Sequence, residues 1–180
     1  MIDNQMSRRH FLATTGAMAG TALFHPIANM KVEAAETIYA DRKRLRVALV
    51  GTGSRGTSMW GRDILKNYSE YLEFVGLCDK NEGRVETGKR IIGAACPTYT
   101  DFEKMMKETK PDVLIVTTMD STHHEFIVRG MEMGADIITE KPMTTDEKKI
   151  QLILDAEKRT GKTCRVTFNY RYSPHRAKIW

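Results

Sequence analysis

Three glycines at a fixed spacing are the residues of this sequence best suited to holding a phosphate group. Gly51, Gly53 and Gly56 stand in the segment GTGSRG, directly after the short apolar run 47–50. In a G-x-G-x-x-G turn between a strand and a helix, the first glycine permits the tight turn and the second lets backbone N–H groups reach a diphosphate. The third glycine lets the helix pack close to the strand, with the positive end of its dipole towards the anion. The segment therefore predicts a dinucleotide-binding loop.

An acidic residue follows at the distance that such a loop requires. Asp79 ends a second apolar run, 74–78, about 20 residues after the glycines, where a dinucleotide fold places a carboxylate on the adenosine ribose hydroxyls. A carboxylate at that point repels a 2′-phosphate, so Asp79 favours NAD over NADP, although Lys80 and Arg55 weaken the preference. The alternative is that Asp79 caps a helix that starts near Asn81, since aspartate is a common N-cap.

Apolar runs alternate with amphipathic segments along the chain, which predicts a doubly wound α/β domain with a parallel sheet. Predicted strands cover residues 45–50, 72–78, 113–118, 135–139 and 164–168, with a short connection or strand at 97–99. Predicted helices cover residues 55–67, 81–92, 101–109, 122–133 and 145–160, the third and fifth capped by Asp101 and by Thr145-Asp146. In the last helix five apolar residues are expected to face the core: Ile150, Leu152, Ile153, Leu154 and Ala156.

Polar side chains crowd the carboxyl ends of these predicted strands. They are the glycine loop, Asp79, the segment 118–123, Glu140-Lys141-Pro142 and Asn169-Tyr170-Arg171. Ligands of parallel α/β sheets bind beyond the carboxyl ends of the strands. Because a buried lysine or glutamate is costly unless it is paired, the pattern indicates a binding edge rather than a core.

The composition excludes other classes of function. The chain has 28 basic and 23 acidic residues and a net charge of +5, without the concentrated basic block that would indicate nucleic-acid binding. The three cysteines, Cys78, Cys96 and Cys164, lack metal-binding spacing, and an odd number argues against a disulfide framework. Cys78 and Cys164 fall in predicted strands, and we expect them to be buried apolar residues.

Residues 1–34 have the layout of an export signal. The charged segment SRRHFL at 7–12 precedes a mildly apolar run at 13–24 that is too short to span a membrane. SRRxFL resembles a twin-arginine signal, whose machinery exports folded proteins. We therefore expect an exported or periplasmic protein without a membrane anchor, with residues 35–43 as a linker. The alternative is a disordered or amphipathic N-terminus.

Taken together, these motifs resemble those of the Gfo/Idh/MocA oxidoreductases, the relatives of glucose–fructose oxidoreductase and inositol dehydrogenase. The resemblance rests on GTGSRG, Asp79, the T-x-x-x-x-H spacing of Thr118 and His123, EKP at 140–142, and NYRYSP at 169–174. It implies a Rossmann domain at 44–170 that binds NAD or, less readily, NADP. It also implies a C-terminal α/β domain for a carbohydrate or polyol, of which residues 171–180 would be the start and the rest would be absent from this chain.

The resemblance further implies roles for single residues. The pyrophosphate would be lined by the glycine loop, Gly51, Thr52, Gly53, Ser54, Arg55 and Gly56, and Asp79 would bind the adenosine ribose. The turn at Asp120–His123, after Thr118, would pass under the cofactor, whereas the neighbouring His124 would face solvent. Glu140 would lie near the nicotinamide ribose and Asn169 at the nicotinamide end.

Lys141 is the catalytic residue that the resemblance implies. Oxidation of a sugar hydroxyl requires a proton to leave oxygen as hydride leaves carbon, and a partly desolvated lysine beside a positively charged nicotinamide ring gives up its proton more readily. The alternatives are that Lys141 is an exposed turn residue and that His123 is an ordinary residue at a helix start. Met119 replaces the proline that the family usually has after Thr118, which should loosen that turn.

Three functions remain open at this point. The first is an exported NAD(P)-dependent sugar or polyol oxidoreductase, a homo-oligomer at full length. The second is a glycosidase that uses the same site, oxidising a sugar carbon transiently and returning the hydride after an elimination. The third is a non-catalytic nucleotide-binding module. In the first two cases we expect the 180-residue chain alone to bind NAD but to be inactive.

Overall fold

Residues 44–168, which the computed structural model describes, contain a six-stranded parallel sheet in the order β3-β2-β1-β4-β5-β6. The strands are β1 (Leu45–Val50), β2 (Leu72–Cys78), β3 (Thr98–Tyr99), β4 (Val113–Val116), β5 (Asp136–Thr139) and β6 (Cys164–Val166). From β1, strands β2 and β3 extend the sheet in one direction and strands β4, β5 and β6 extend it in the other. The predicted doubly wound fold is therefore confirmed, with the switch point between β1 and β4.

Five helices connect the strands. They are α1 (Gly56–Tyr68), α2 (Glu82–Ile92), α3 (Phe102–Thr109), α4 (His123–Glu132) and α5 (Glu147–Thr160). Helix α1 is π-helical over Gly56–Asp63 and α-helical over Ile64–Tyr68, and a 3-10 turn at Asp120–Thr122 precedes α4. The side chains of Asn81, Asp101 and Asp146 accept a hydrogen bond from the backbone N–H three residues further on. These are N-caps, as predicted for Asp101 and Asp146. Because Asn81 caps α2, Asp79 is not needed for that purpose.

The sheet is covered on both faces, as a run of consecutive aliphatic residues predicts. Side chains of β1 alternate: Val47 and Leu49 pack with Trp60 of α1, whereas Ala48 and Val50 pack with residues of α3, α4 and α5. This alternation follows from the two-residue period of a strand. The sheet is thereby held rigidly between two layers of helices, and its carboxyl edge is left for the loops.

The prediction that five apolar residues of α5 face inwards is wrong for three of them. Ile153 and Ala156 are buried, but Ile150, Leu152 and Leu154 are 38, 54 and 40% exposed. A helix turns about 100° per residue, so residues three or four apart share a stripe and their immediate neighbours do not. Leu152 and Leu154 flank Ile153 and are carried away from the sheet by this geometry.

Parts of the sequence prediction lie outside the described residues. They are the export signal at 1–34, the linker at 35–43, Asn169, and the start of a second domain at 171–180. Within residues 44–168, no helix has the length and apolar character needed to cross a membrane.

The three cysteines provide a test of this packing. Burial raises the pKa of the Cys78 and Cys164 thiols to about 12, aided by Asp79 and Glu157 respectively, and raises that of Cys96 to about 11. Because the thiolate is the reactive species, we expect all three thiols to react with an aromatic disulfide reagent at pH 8 at least about a hundredfold more slowly in the folded chain than in denaturant. The measurement is the absorbance of the released thiolate, and labelling of the folded chain within seconds would contradict the packing described.

Candidate dinucleotide site

The glycine loop follows β1 at the switch point, and two of its glycines are required by the protein itself. Gly51 has φ +93°, and a Cβ there would lie 2.6 Å from the backbone oxygen of Thr117. A Cβ on Gly56 would lie 2.1 Å from the backbone oxygen of Gly51. Any side chain at these positions would push the loop away from β4 or α1 away from the loop.

Gly53 differs from both, because a Cβ built on it meets no atom of residues 44–168 within 4 Å. Packing within the described part of the chain therefore does not explain a glycine at this position. Free space at the middle glycine is what a ligand that approaches the backbone would need. The loop fits a dinucleotide diphosphate on this observation, and Ser54 lies beside it with an exposed side chain.

Asp79 is tied to the same loop. Its carboxylate is 6% exposed and accepts hydrogen bonds from the backbone N–H and the hydroxyl of Thr52 on Oδ2, at 3.0 and 3.2 Å. Oδ1 accepts the backbone N–H of Asn81 at 3.0 Å, and the guanidinium of Arg84 lies 3.8 Å from Oδ2. The structure thus brings two predicted site residues together, 27 positions apart in sequence. A carboxylate held this way has a fixed direction at the end of β2.

A cavity of about 370 Å³ opens beside Asp79. Its walls are made by Gly51 and Gly53, by Thr118 and by the apolar side chains of Phe102 and Phe126. This volume lies within the range of small-ligand pockets, and its lining is mostly apolar with a few polar groups, as such pockets usually are. A nucleoside base and ribose fit this description, with Asp79 at the ribose position.

His123 connects two of the loops at the carboxyl edge. The ring is 1% exposed, with Nδ1 2.9 Å from the backbone oxygen of Pro142 and Nε2 3.1 Å from that of Thr118. It therefore links the loop after β4 to the loop after β5. This is more than an ordinary position at a helix start, because the side chain positions both loops.

Three predicted residues near His123 in sequence have fewer contacts that define a role. Asp120 is exposed in the 3-10 turn, and Thr118 is half-buried with its hydroxyl bonded to that of Thr122. Their predicted place under the cofactor stays a prediction. His124 was expected to face solvent, which is wrong: it is half-buried, and its buried Nδ1 has no partner among residues 44–168.

Glu140 lies at the end of β5 and is also bound to the glycine loop. It is 6% exposed, and its Oε1 accepts hydrogen bonds from Arg55 Nε at 3.1 Å, from Arg55 Nη2 at 2.5 Å and from Trp60 Nε1 at 2.7 Å. Arg55 was predicted to lie on the pyrophosphate, and Trp60 was not among the predicted site residues. Trp60 and Ile64 stand four residues apart in the sequence, which indicates a packed helix face rather than a site.

Lys141 follows Glu140 and is exposed. Among the ion pairs formed within residues 44–168, none includes Lys141. The Lys141–Pro142 peptide is cis. Lys141 therefore extends from the same edge as the glycine loop and Asp79, with its ammonium group available to a ligand. No group of three or more His, Cys, Asp or Glu side chains in the described part of the chain is arranged to hold a metal ion.

Two proteins that are similar to this chain in sequence are more than twice as long as the part of them that it matches. It is 35% identical to YteT of Bacillus subtilis in an alignment of 137 positions that covers 74% of this chain and 32% of YteT. It is 30% identical to glycosyl hydrolase family 109 protein 1 of Akkermansia muciniphila in an alignment of 210 positions, gaps included, that covers 95% of this chain and 43% of that protein. The chain thus spans less than half the length of the relatives it matches.

Solved structures share the fold. The WlbA dehydrogenase of Chromobacterium violaceum, in complex with NADH and UDP-GlcNAcA, has a TM-score of 0.67 and 23% identity over 73% of this chain and 37% of its own. The myo-inositol 2-dehydrogenase of Lactobacillus plantarum has a TM-score of 0.66 and 24% identity over 76% of this chain and 40% of its own.

A family model for oxidoreductases with an NAD-binding Rossmann fold matches residues 45–168. Those residues include every strand and helix described above, and they carry the glycine loop, Asp79 and the Glu140-Lys141 pair. The chain belongs to the Gfo/Idh/MocA family of oxidoreductases and contains its NAD-binding Rossmann domain.

Proposed function

We propose that this chain is the NAD-binding half of an exported oxidoreductase that transfers hydride between a sugar or polyol carbon and nicotinamide. The observation that carries the proposal is the meeting of the glycine loop, the buried Asp79 and the Glu140-Lys141 pair at one edge of the sheet. The names of the relatives support the substrate class, since they include inositol dehydrogenases and a dehydrogenase in complex with a nucleotide sugar.

In this proposal each described residue has a defined task. The N–H groups of Gly51 and Thr52 are bonded to Cys78 and Asp79, so the diphosphate is held by the later backbone N–H groups of the glycine loop. The Asp79 carboxylate accepts hydrogen bonds from the adenosine ribose hydroxyls. NAD, when bound, supplies the hydride acceptor. Lys141 takes the proton of the substrate hydroxyl or passes it on, because it extends from the edge where the nicotinamide half of the cofactor would lie. The substrate domain, export through a twin-arginine signal and assembly into homo-oligomers are further parts of the proposal.

A second candidate function is glycoside cleavage with a cofactor that is reduced and reoxidised within one cycle. The match to the Akkermansia glycosyl hydrolase supports it, since that match covers 95% of this chain. Both functions would use the same glycine loop, Asp79 and Lys141. They differ in outcome, because the oxidoreductase accumulates NADH whereas the glycosidase releases a leaving group and retains its cofactor in the oxidised form.

The Asp79→Asn substitution tests the ribose contact. It keeps the size of the side chain and removes the charge that hydrogen-bonds Thr52 and would bind the ribose, so we expect the affinity for NAD to fall about tenfold or more. Because the repulsion of a 2′-phosphate is also removed, NADP should lose less affinity than NAD. The measurement is isothermal titration of the 180-residue chain with both dinucleotides.

Asp63→Asn is the matched control, since Asp63 is exposed on α1 and its carboxylate pairs with the neighbouring Arg62. The melting temperature of both variants shows whether the fold is retained. An Asp79→Asn chain that is folded and binds NAD as the wild type does would contradict the ribose contact. A wild-type chain that binds neither NAD nor NADH would contradict the proposed function itself.

The Lys141→Ala substitution tests the proton transfer. In a form that includes the substrate domain we expect kcat to fall about 10²–10⁴-fold, the usual contribution of a general acid or base, while the affinity for NAD changes little. Lys148→Ala is the control, because Lys148 is an exposed lysine on α5. An unchanged kcat in the folded Lys141→Ala variant would contradict this role. A form with the substrate domain that binds NAD but neither oxidises a sugar or polyol nor cleaves a glycoside would favour the non-catalytic nucleotide-binding module.

A further inference from the structure

The buried carboxylate of Glu140 receives all of its described hydrogen bonds on one oxygen. Two N–H groups of Arg55 and the indole N–H of Trp60 converge on Oε1. Within residues 44–168 no donor is bonded to Oε2. The carboxylate is therefore held in one orientation, with a second oxygen that can accept from a ligand.

The position of Glu140 in the sheet indicates which part of the ligand it meets. In a doubly wound sheet a dinucleotide lies across the switch point, with one mononucleotide on each half. Asp79 ends β2 and lies on that side of the switch point, which is the adenosine half if the proposed function is correct. Glu140 follows β5 on the other side of the switch point, so it faces the nicotinamide mononucleotide.

Burial makes the two donors necessary. A carboxylate that is taken out of water costs several kcal/mol unless it is paired and hydrogen-bonded. Arg55 provides the positive charge. Trp60 provides the second donor, and the direction of its indole N–H is fixed because the side chain packs from α1 against Leu49 and Ile115.

We propose that Arg55 and Trp60 are positioning residues that hold Glu140 so that its free oxygen accepts a hydrogen bond from the nicotinamide ribose. This inference rests on the proposed function and extends it, because it assigns Arg55 to the nicotinamide half of the site rather than to the pyrophosphate. It also gives Trp60 a role other than packing.

A comparison of two ligands tests the inference. ADP carries the adenosine and the diphosphate of NAD but lacks the nicotinamide ribose. For Arg55→Gln and Trp60→Phe in the 180-residue chain, we expect the affinity for NAD to fall about tenfold and that for ADP to change less than about twofold. Isothermal titration gives both affinities, and Arg62→Gln, on the exposed face of α1, is the matched control.

Glu140→Gln should reproduce the loss of NAD affinity, and adding Arg55→Gln to it should cost little more, because the two residues act as one unit. Arg55→Lys, which keeps the charge, should recover part of the affinity and serves if Arg55→Gln does not fold. Equal losses for NAD and ADP would assign Arg55 to the diphosphate and overturn the inference. Unchanged affinities for both ligands in folded variants would show that the contacts serve packing only and would overturn it as well.

The wild-type chain separates this inference from the proposed function. If it binds NAD and ADP and the variants keep the wild-type ratio of the two affinities, the inference alone fails. If the wild type binds neither ligand, the proposed function fails and the inference fails with it.

Discussion

The hydrogen bonds between Asp79 and Thr52 join the end of β2 to the loop after β1, and the site depends on them. A buried carboxylate must find donors inside the protein, and two of the nearest donors belong to the glycine loop. The same bonds that satisfy Asp79 therefore fix the loop against the sheet. The backbone oxygens of Gly51 and Thr117 complete this constraint, because they leave no room for a Cβ on Gly56 or Gly51.

Contacts between residues far apart in sequence connect the glycine loop to the loop after β5, and that loop to the loop after β4. Arg55 and Trp60 connect the loop and its helix to Glu140 after β5, and His123 connects the loops after β4 and β5. The site is thus preorganised by hydrogen bonds within the chain before any ligand binds. Preorganisation of this kind lowers the entropy that binding must overcome.

The strands and the N-caps of α3 and α5 could be predicted from sequence because each depends on local pattern. Consecutive aliphatic residues mark a strand buried on both faces, and Asp101 and Asp146 precede the helices that they cap. The partners of Glu140 could not be predicted, since they stand 80 and 85 positions away and only the fold brings them close. The spacing of apolar residues does not indicate the π-helical part of α1. In α5 the buried stripe is too narrow to include Leu152 and Leu154, which lie on either side of it.

Trp60 has a practical consequence for studying this protein. An indole whose N–H is bonded to a carboxylate is sensitive to any change in that bond, since indole emission depends on the polarity and hydrogen bonding around the ring. The sequence has only one other tryptophan, Trp180, at the last position. The chain therefore carries a natural fluorescent reporter in contact with Glu140, and its emission can report a change at Glu140 without any added label.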